Sequence, residues 1–326
     1  MRLIAIALVL GLAFAGPVAS ASEPCATSVS NPVQSLQIFS GELQRKLSRI
    51  ELDSSLLRPW STEARFPCQP PFLATYRAQG REFRFLAVPH WQGPVSMTDP
   101  SAVRLRGVLE RNRPEGLMVE MATGGVINER GLQGLEQGCV RNGEFMCGES
   151  PFMAMLAGQR GVVVQGGEPL PPELNQGIRR RSSNEDLLVY RSTLAVLNLQ
   201  RQRVPVSEWP SRFGDELARD GITLGGEDAW SYSRYEQWLS RNLRATAQQV
   251  EDRWIEPRND SAASPLQRIS YRVDQAREPM ILERAESMLN QHQRSMMIYG
   301  AGHYFKQSEV LQRALGSPQI ECLAGN

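Results

Sequence analysis

Two histidines and two glutamates stand just past short apolar runs of β type. "EFRFLAV" is followed by Pro89-His90, "GLMV" by Glu120, "GVVVQGG" by Glu168 and "MMIYGAG" by His303. In open α/β sheets, ligands bind beyond the carboxyl ends of the strands, where loops converge and backbone groups are free. Four such ends place two imidazoles and two carboxylates along one rim. Residues of these types hold divalent metals or set up a water for general-base attack. Taken singly, each is an ordinary turn residue or local cap, and the signal lies in their recurrence. The chain has 3 histidines, and two fall at these positions. His292, in "NQHQR", is expected on the surface of a helix. His303 is the best single candidate, delivered by a small-residue turn, Gly300-Ala301-Gly302. Glycines at Gly166-Gly167, Gly300 and Gly302 are expected to take positive φ and let the backbone approach a ligand closely.

The elements that must position these residues follow from hydrophobic period and turn chemistry. "LATYRA" and "EFRFLAV", separated by "QGR", read as a hairpin or two successive strands. "DPSAVRLRGVLERN" is a helix capped by Asp99 with Pro100 at its start. "GLMVEM" is a short buried strand, "SPFMAMLAGQR" a helix and "GVVVQ" another buried strand. Strand, helix, strand, helix, strand is the rhythm of an α/β sheet with parallel pairs. Helices are also expected over Val33–Ile50, Trp209–Asp220, Trp230–Trp254 and Pro265–Gln293, before the chain returns to the strand "MMIYG". The fold class is thus α/β, a mixed, largely parallel sheet flanked by helices, with a helical insertion or cap at about residues 169–265. "GIRRRSSNED", Gly177 to Asp186, reads as an exposed loop, with a phosphate-binding arginine cluster as the sharper alternative.

Arg2, the apolar stretch Leu3–Ala15, the Gly16-Pro17 break and Ala19-Ser20-Ala21 read as a secretory signal peptide over residues 1–21. One domain over residues 22–326 is expected to remain, periplasmic or secreted. No later segment has the apolar length a bilayer requires. Ser22-Glu23-Pro24 lacks the small apolar pattern that precedes a lipidated cysteine, which sets Cys25 apart from a lipoprotein site. Losing Arg2 brings the 36 basic residues level with the 35 acidic ones. A neutral chain argues against a nucleic-acid partner, whose phosphates select a basic surface. The bases are arginines apart from Lys46 and Lys306. The 5 cysteines of an exported chain are expected to be structural staples. Cys139 and Cys147 flank the turn-rich "VRNGEFM" and form the first expected pair, and Cys25, Cys68 and Cys322 leave one over. There is no His-Glu-x-x-His, no Gly-x-Ser-x-Gly and no phosphate-cradling loop, so zincin, α/β-hydrolase and nucleotide-binding readings find no support.

With these motifs in order, the chain resembles the TIKI/TraB/GumN superfamily, which also takes in the erythromycin esterases and the ChaN-like haem-binding proteins. "GAGH", Gly300 to His303, is similar to that group's second Gly-x-x-His motif. "FLAVPH", Phe85 to His90, is similar to the first, with Ala87 where glycine is usual. "LMVEMATG" puts Glu120 at the intermediate glutamate, "VVQGGEP" puts Glu168 at a second acidic motif, and "REPM" resembles an Arg-x-x-Met pattern at the entry to the last helix. "YFKQ" after His303 departs from the Leu-x-Gly of the GumN branch.

The resemblance implies an exported hydrolase that cleaves a peptide, ester or lactone bond in a small-molecule or peptide substrate. His90, Glu120, Glu168 and His303 would surround the reacting centre, with or without a divalent Mn, Co, Zn or Fe ion. Arg277 would bind the substrate's carboxylate or carbonyl. A histidine general base must be neutral, so activity is expected to fall on acidification through the imidazole pKa. Two alternatives are a ChaN-like protein binding haem, iron or another small molecule, for which Glu120-Met121 speaks, and an envelope interaction protein with a decayed site, for which Ala87 speaks.

Overall fold

Whether the four strand-end residues share a rim depends on strand order. In the computed structural model, which describes residues 49–61, 64–91, 93–121, 125–222 and 230–324, β1 (Phe72–Ala78) and β2 (Arg81–Val88) pair antiparallel from Phe72↔Ala87 to Ala78↔Arg81. The connecting Gln79 and Gly80 both have positive φ, 51° and 73°, which matches the twist of a two-residue hairpin. A minor sheet holds β3 (Val95–Ser96), β5 (Val140–Arg141) and β6 (Glu144–Phe145). The main sheet adds β4 (Gly116–Val119), β7 (Val163–Gly166), β8 (Arg294–Gly300) and β9 (Gln319–Cys322) in the order β7-β4-β8-β2-β1-β9. From β7 to β2 every pairing is parallel, so the chain leaves β7, β4, β8 and β2 at one edge. Neighbouring strands lie about 4.8 Å apart, and the residues that follow them are side by side.

Alternation along the strands sends side chains to two cores. Leu86, Val88, Leu117, Val119, Met296 and Ile298 face one layer of helices, α1 (Pro100–Asn112), α2 (Glu129–Cys139) and α3 (Glu149–Gly158). Phe83, Phe85, Met118, Met297 and Tyr299 face the other. A third cluster belongs to the helical segment, α4 (Pro171–Arg181), α5 (Asn184–Arg201), α6 (Trp209–Arg219) and α7 (Tyr232–Leu243).

Helix α8 (Pro265–Gln291) joins the last two cores. Ser264 caps it, accepting from the Gln267 N–H, while the Gln267 side chain accepts from the Ser264 N–H; Pro265 suits the first turn, where no N–H partner is lost. Its Leu266, Ile269, Val273 and Ala276 pack in the helical segment. Its Ile281, Leu282, Ala285, Met288 and Leu289 pack on the sheet. The crossover falls at Arg277 and Glu278, just before Pro279, which the helix accommodates. The chain then runs through β8 into α9 (Ala301–Leu315).

Several expectations need correction. The helix expected over Trp230–Trp254 stops at Leu243, because Arg244 caps it in the left-handed region (φ 53°) and Thr246 with Gln249 closes a short 3-10 turn over Ala247–Gln249. "GIRRRSSNED" is not a loop: Arg179, Arg180 and Arg181 form the last turn of α4, where cations favour the helix dipole, and Ser183 already caps α5. The sequence reading missed α2. The signal segment, Cys25 and the helix expected over Val33–Ile50, apart from its last two residues, lie outside the described residues.

The expected Cys139–Cys147 bridge is present, and Cys68–Cys322 is a second. No helix among the described residues is long and apolar enough to cross a membrane. Both facts are compatible with export. The Cys68–Cys322 bridge spans 254 residues of sequence and pins the short edge strand β9. Replacing both cysteines by serine is therefore expected to lower the unfolding free energy by about 2–4 kcal/mol in urea titrations. Unchanged stability would mean that β9 is held by its ladder alone.

Candidate functional site

The strand-end residues meet as the topology requires. Glu120 follows β4, Glu168 follows β7, His90 follows β2, and His303 lies in the first turn of α9, directly after β8. Arg277 reaches them from the middle of α8 rather than from a helix entry. Its Nε and Nη2 donate to Glu168 Oε2 and Oε1, each at 2.6 Å, a two-pronged pair that fixes the guanidinium plane. Arg277 Nη2 also lies 3.5 Å from Glu120 Oε1. His303 Nε2 approaches the same oxygen at 3.5 Å, and the Gly300 N–H donates to Glu120 Oε2 at 3.0 Å. Glu120 is thus shared by an arginine, a histidine and a backbone amide.

Behind His303 lies a second tier that the sequence reading missed. Its Nδ1 stands 2.7 Å from Glu278 Oε1, an ion-pair distance although the two atoms are not aligned as a hydrogen bond. Lys306 Nζ lies 2.5 Å from the same oxygen and 2.6 Å from Asp274 Oδ1, and Gln307 donates to Glu278 Oε2 at 3.0 Å. Glu278 and Lys306 are only 3% and 4% exposed. A usable signal existed: Asp274 and Glu278 are four apart on one helix, and His303 is three and four residues before Lys306 and Gln307 on the next. Such spacings share a helix face. Read singly, these charges resembled a solvated surface.

Burial opposes charge on Glu120, Glu278, His303, Arg277 and Lys306, and the partners overcome it. Burial would raise the Glu120 carboxyl, but His303, Arg277 and the Gly300 N–H hold it well below the usual carboxylate range. Burial acts likewise on Glu278, and His303, Lys306 and Arg277 again prevail. For His303, burial and the Lys306 charge disfavour the imidazolium, but Glu278 and Glu120 outweigh them and raise its pKa from 6.5 to about 9. The neutral general base expected at this position is therefore not what the surroundings favour. They favour a buried cation clamped between two carboxylates.

The glycines serve close approach rather than positive φ, since neither Gly166, Gly167, Gly300 nor Gly302 lies in the left-handed region. A Cβ on Gly300 would sit 2.8 Å from His90 Nε2 and 3.7 Å from Glu120 Oε2. A Cβ on Gly302 would sit 3.0 Å from the Trp60 ring, and one on Gly167 would strike the Tyr299 hydroxyl. His292 packs over Gly116 at the far end of the strands, away from this rim.

His90, Glu120, Arg277 and His303 line one cavity of about 510 Å3, walled in part by Trp60 and Tyr190. Glu168 stands behind Arg277. Glu120, Glu168 and His303 each offer an atom within 4.8 Å of one another and could hold a metal ion. Glu278 behind Nδ1 is the kind of carboxylate that orients a metal-binding imidazole. Arg277 engages both oxygens of Glu168, one bond to each, so an ion held by Glu120, Glu168 and His303 would share Glu168 with the guanidinium and would there supply an activated water. The steps below use the chain's own residues.

Comparison of the chain with family models, with curated proteins and with solved structures yields no match.

Two measurements follow. Gly300→Ala should leave the fold intact and displace the exposed His90 ring, seen as a shift of one of the three histidine C2–H signals with little change in Tm; an unmoved His90 would contradict the packing. Because the folded pKa of His303 lies above its ordinary value, its contribution to the metal-free protein's stability is complete below about pH 6.5 and is lost as pH rises through about 9. Unfolding titrations across that window should show the decline in wild type and not in His303→Gln.

Proposed function

We propose that the chain is an exported hydrolase of the TIKI/TraB/erythromycin esterase type, acting on an ester, lactone or peptide carbonyl. One observation carries the reading: His303, held as a cation by Glu120 and Glu278, lines the same cavity as Arg277, with His90 across Gly300. The Arg277 guanidinium, fixed through Nε and Nη2 by Glu168, lines the cavity as a preorganised cationic field for the oxyanion of a tetrahedral intermediate, and His303 fixes Glu120 beside it. Such a field gains most where water is excluded and costs no reorganisation during reaction.

The base in this scheme is His90 rather than His303. His90 takes a proton from water as the oxygen attacks the carbonyl carbon. The carbonyl electrons move onto oxygen and are met by Arg277. Collapse of the intermediate breaks the bond to the leaving group, which leaves with the proton that His90 returns. The products are a carboxylic acid and an alcohol or amine. Glu120 is poorly suited to be the base, because its carboxylate is held by three donors; its part is to keep His303 and Arg277 in register.

Chromogenic p-nitrophenyl esters, lactones and short peptides supply the test. His90→Ala and His303→Gln are expected to lower kcat/KM by about a hundredfold or more on whichever class is turned over. Turnover that survives both substitutions would remove the reading, as would its absence on all three classes. Metal is tested separately, by elemental analysis after loading the dialysed protein with Mn, Co, Zn or Fe. The reading expects activity without stoichiometric metal. Stoichiometric metal that vanishes in both Glu120→Ala and His303→Ala would replace the metal-free scheme with a metal-assisted one. A Soret band on haem addition would favour the ChaN-like alternative. Against a decayed site stands His90 itself, which reaches the cavity although Ala87 replaces the motif's usual glycine.

A further inference from the structure

The cavity extends away from the reacting centre along one face of α8. Arg277, Asp274, Val273 and Ser270 line it at spacings that fall on a single helical stripe. The far end is closed by Ile255 and Glu256. The Arg258 N–H donates to the Gln267 carbonyl at 3.3 Å, which ties this loop to the helix one turn before Ser270.

Two features of that far end lack partners. Ser270 is 2% exposed, and its hydroxyl makes no hydrogen bond although it borders the cavity. A buried hydroxyl without a partner gains from a ligand that can hydrogen-bond to it. Glu256 stands at the rim, and no ion pair or hydrogen bond holds its carboxylate among the described residues. Among the cavity's lining residues, Glu120 and Asp274 are engaged by Arg277, His303 and Lys306, which leaves Glu256 as the carboxylate outside those ion pairs. Between the two ends the wall is apolar and aromatic, with Val273, Ile255, Tyr190 and Trp60. An aromatic face attracts a cation as well as an alkyl chain.

We infer that the cavity binds an ammonium-bearing amphiphile, whose charged nitrogen is held by the Ser270 hydroxyl and the Glu256 carboxylate while its apolar body lies along Val273, Ile255 and Tyr190. The inference rests on the cavity of the proposed hydrolase and names its substrate class: an ester, lactone or amide that carries a basic amine on its non-reacting arm. A carboxylate at the same end would meet the like charge of Glu256.

Binding of matched probes tests this without requiring turnover. The mature protein is titrated calorimetrically with n-octylammonium and n-octanol at neutral pH. The ammonium is expected to bind about tenfold more tightly than the alcohol, as one partly desolvated charge contact gives. Glu256→Gln and Ser270→Ala should each shrink the ammonium's margin several-fold while leaving octanol binding unchanged. Ser270→Ala should also leave Tm unchanged or raised, since it removes an unpaired buried hydroxyl. A serine that mattered only for packing would lower Tm and spare the margin. The inference is overturned if octanol binds as well as the ammonium, if neither binds, or if the margin persists in both variants. Ammonium preference without turnover of any ester would sink the hydrolase reading and leave this site standing. Turnover without ammonium preference would do the reverse.

Discussion

Carboxylates buried at the end of a parallel sheet do not stay ionised without cations, and this requirement organises the site. Removing an ion from water costs several kcal/mol even after relaxation, so Glu120 and Glu278 depend on Arg277, His303 and Lys306. Arg277 and Glu278 sit where α8 passes from the helical segment's core to the sheet's core. His303 and Lys306 open the helix that follows β8. The ion pairs therefore join the strand ends, the helical segment and the last helix in one cluster. Losing one partner leaves a buried charge exposed to the full desolvation penalty, and the remaining groups must rearrange or change protonation.

The strand ends were legible because parallel strands carry a strong local signal. "GLMV", "GVVV" and "MMIY" are short apolar runs, and parallel pairing aligns whatever follows them. The Glu120, Glu168 and His303 rim then follows from strand order. The hairpin of β1 and β2 was readable from its turn, and the Cys139–Cys147 bridge from its spacing.

Less legible was everything that depends on two helices meeting. Glu278, Asp274 and Lys306 carry no mark of burial in the sequence, since each is an ordinary helix-surface residue until another helix covers it. The protonation of His303 belongs to the same class: alone it is an imidazole near neutrality, and only Glu278 and Glu120 together turn it into a lasting cation. Of the two properties read for the glycines, positive φ is absent and close approach is present. Gly300 and Gly302 are needed because His90 and Trp60 lie against them, and a tertiary contact of that kind leaves no trace in local sequence. Arg244, a non-glycine residue in the left-handed region, ended a helix that the hydrophobic period alone would have continued.

The ion cluster depends on His303 being a buried imidazolium, since that charge holds Glu120, pairs with Glu278 and lines the cavity. Nitrogen-15 chemical shifts of the three imidazole rings in the metal-free protein report it directly. At neutral pH one ring should carry protons on both nitrogens and keep them until the pH approaches about 9, and that signal should be absent from His303→Gln. A His303 ring found as a single neutral tautomer at neutral pH would contradict the account, because the clamp of Glu120 and Glu278 would then be holding no charge.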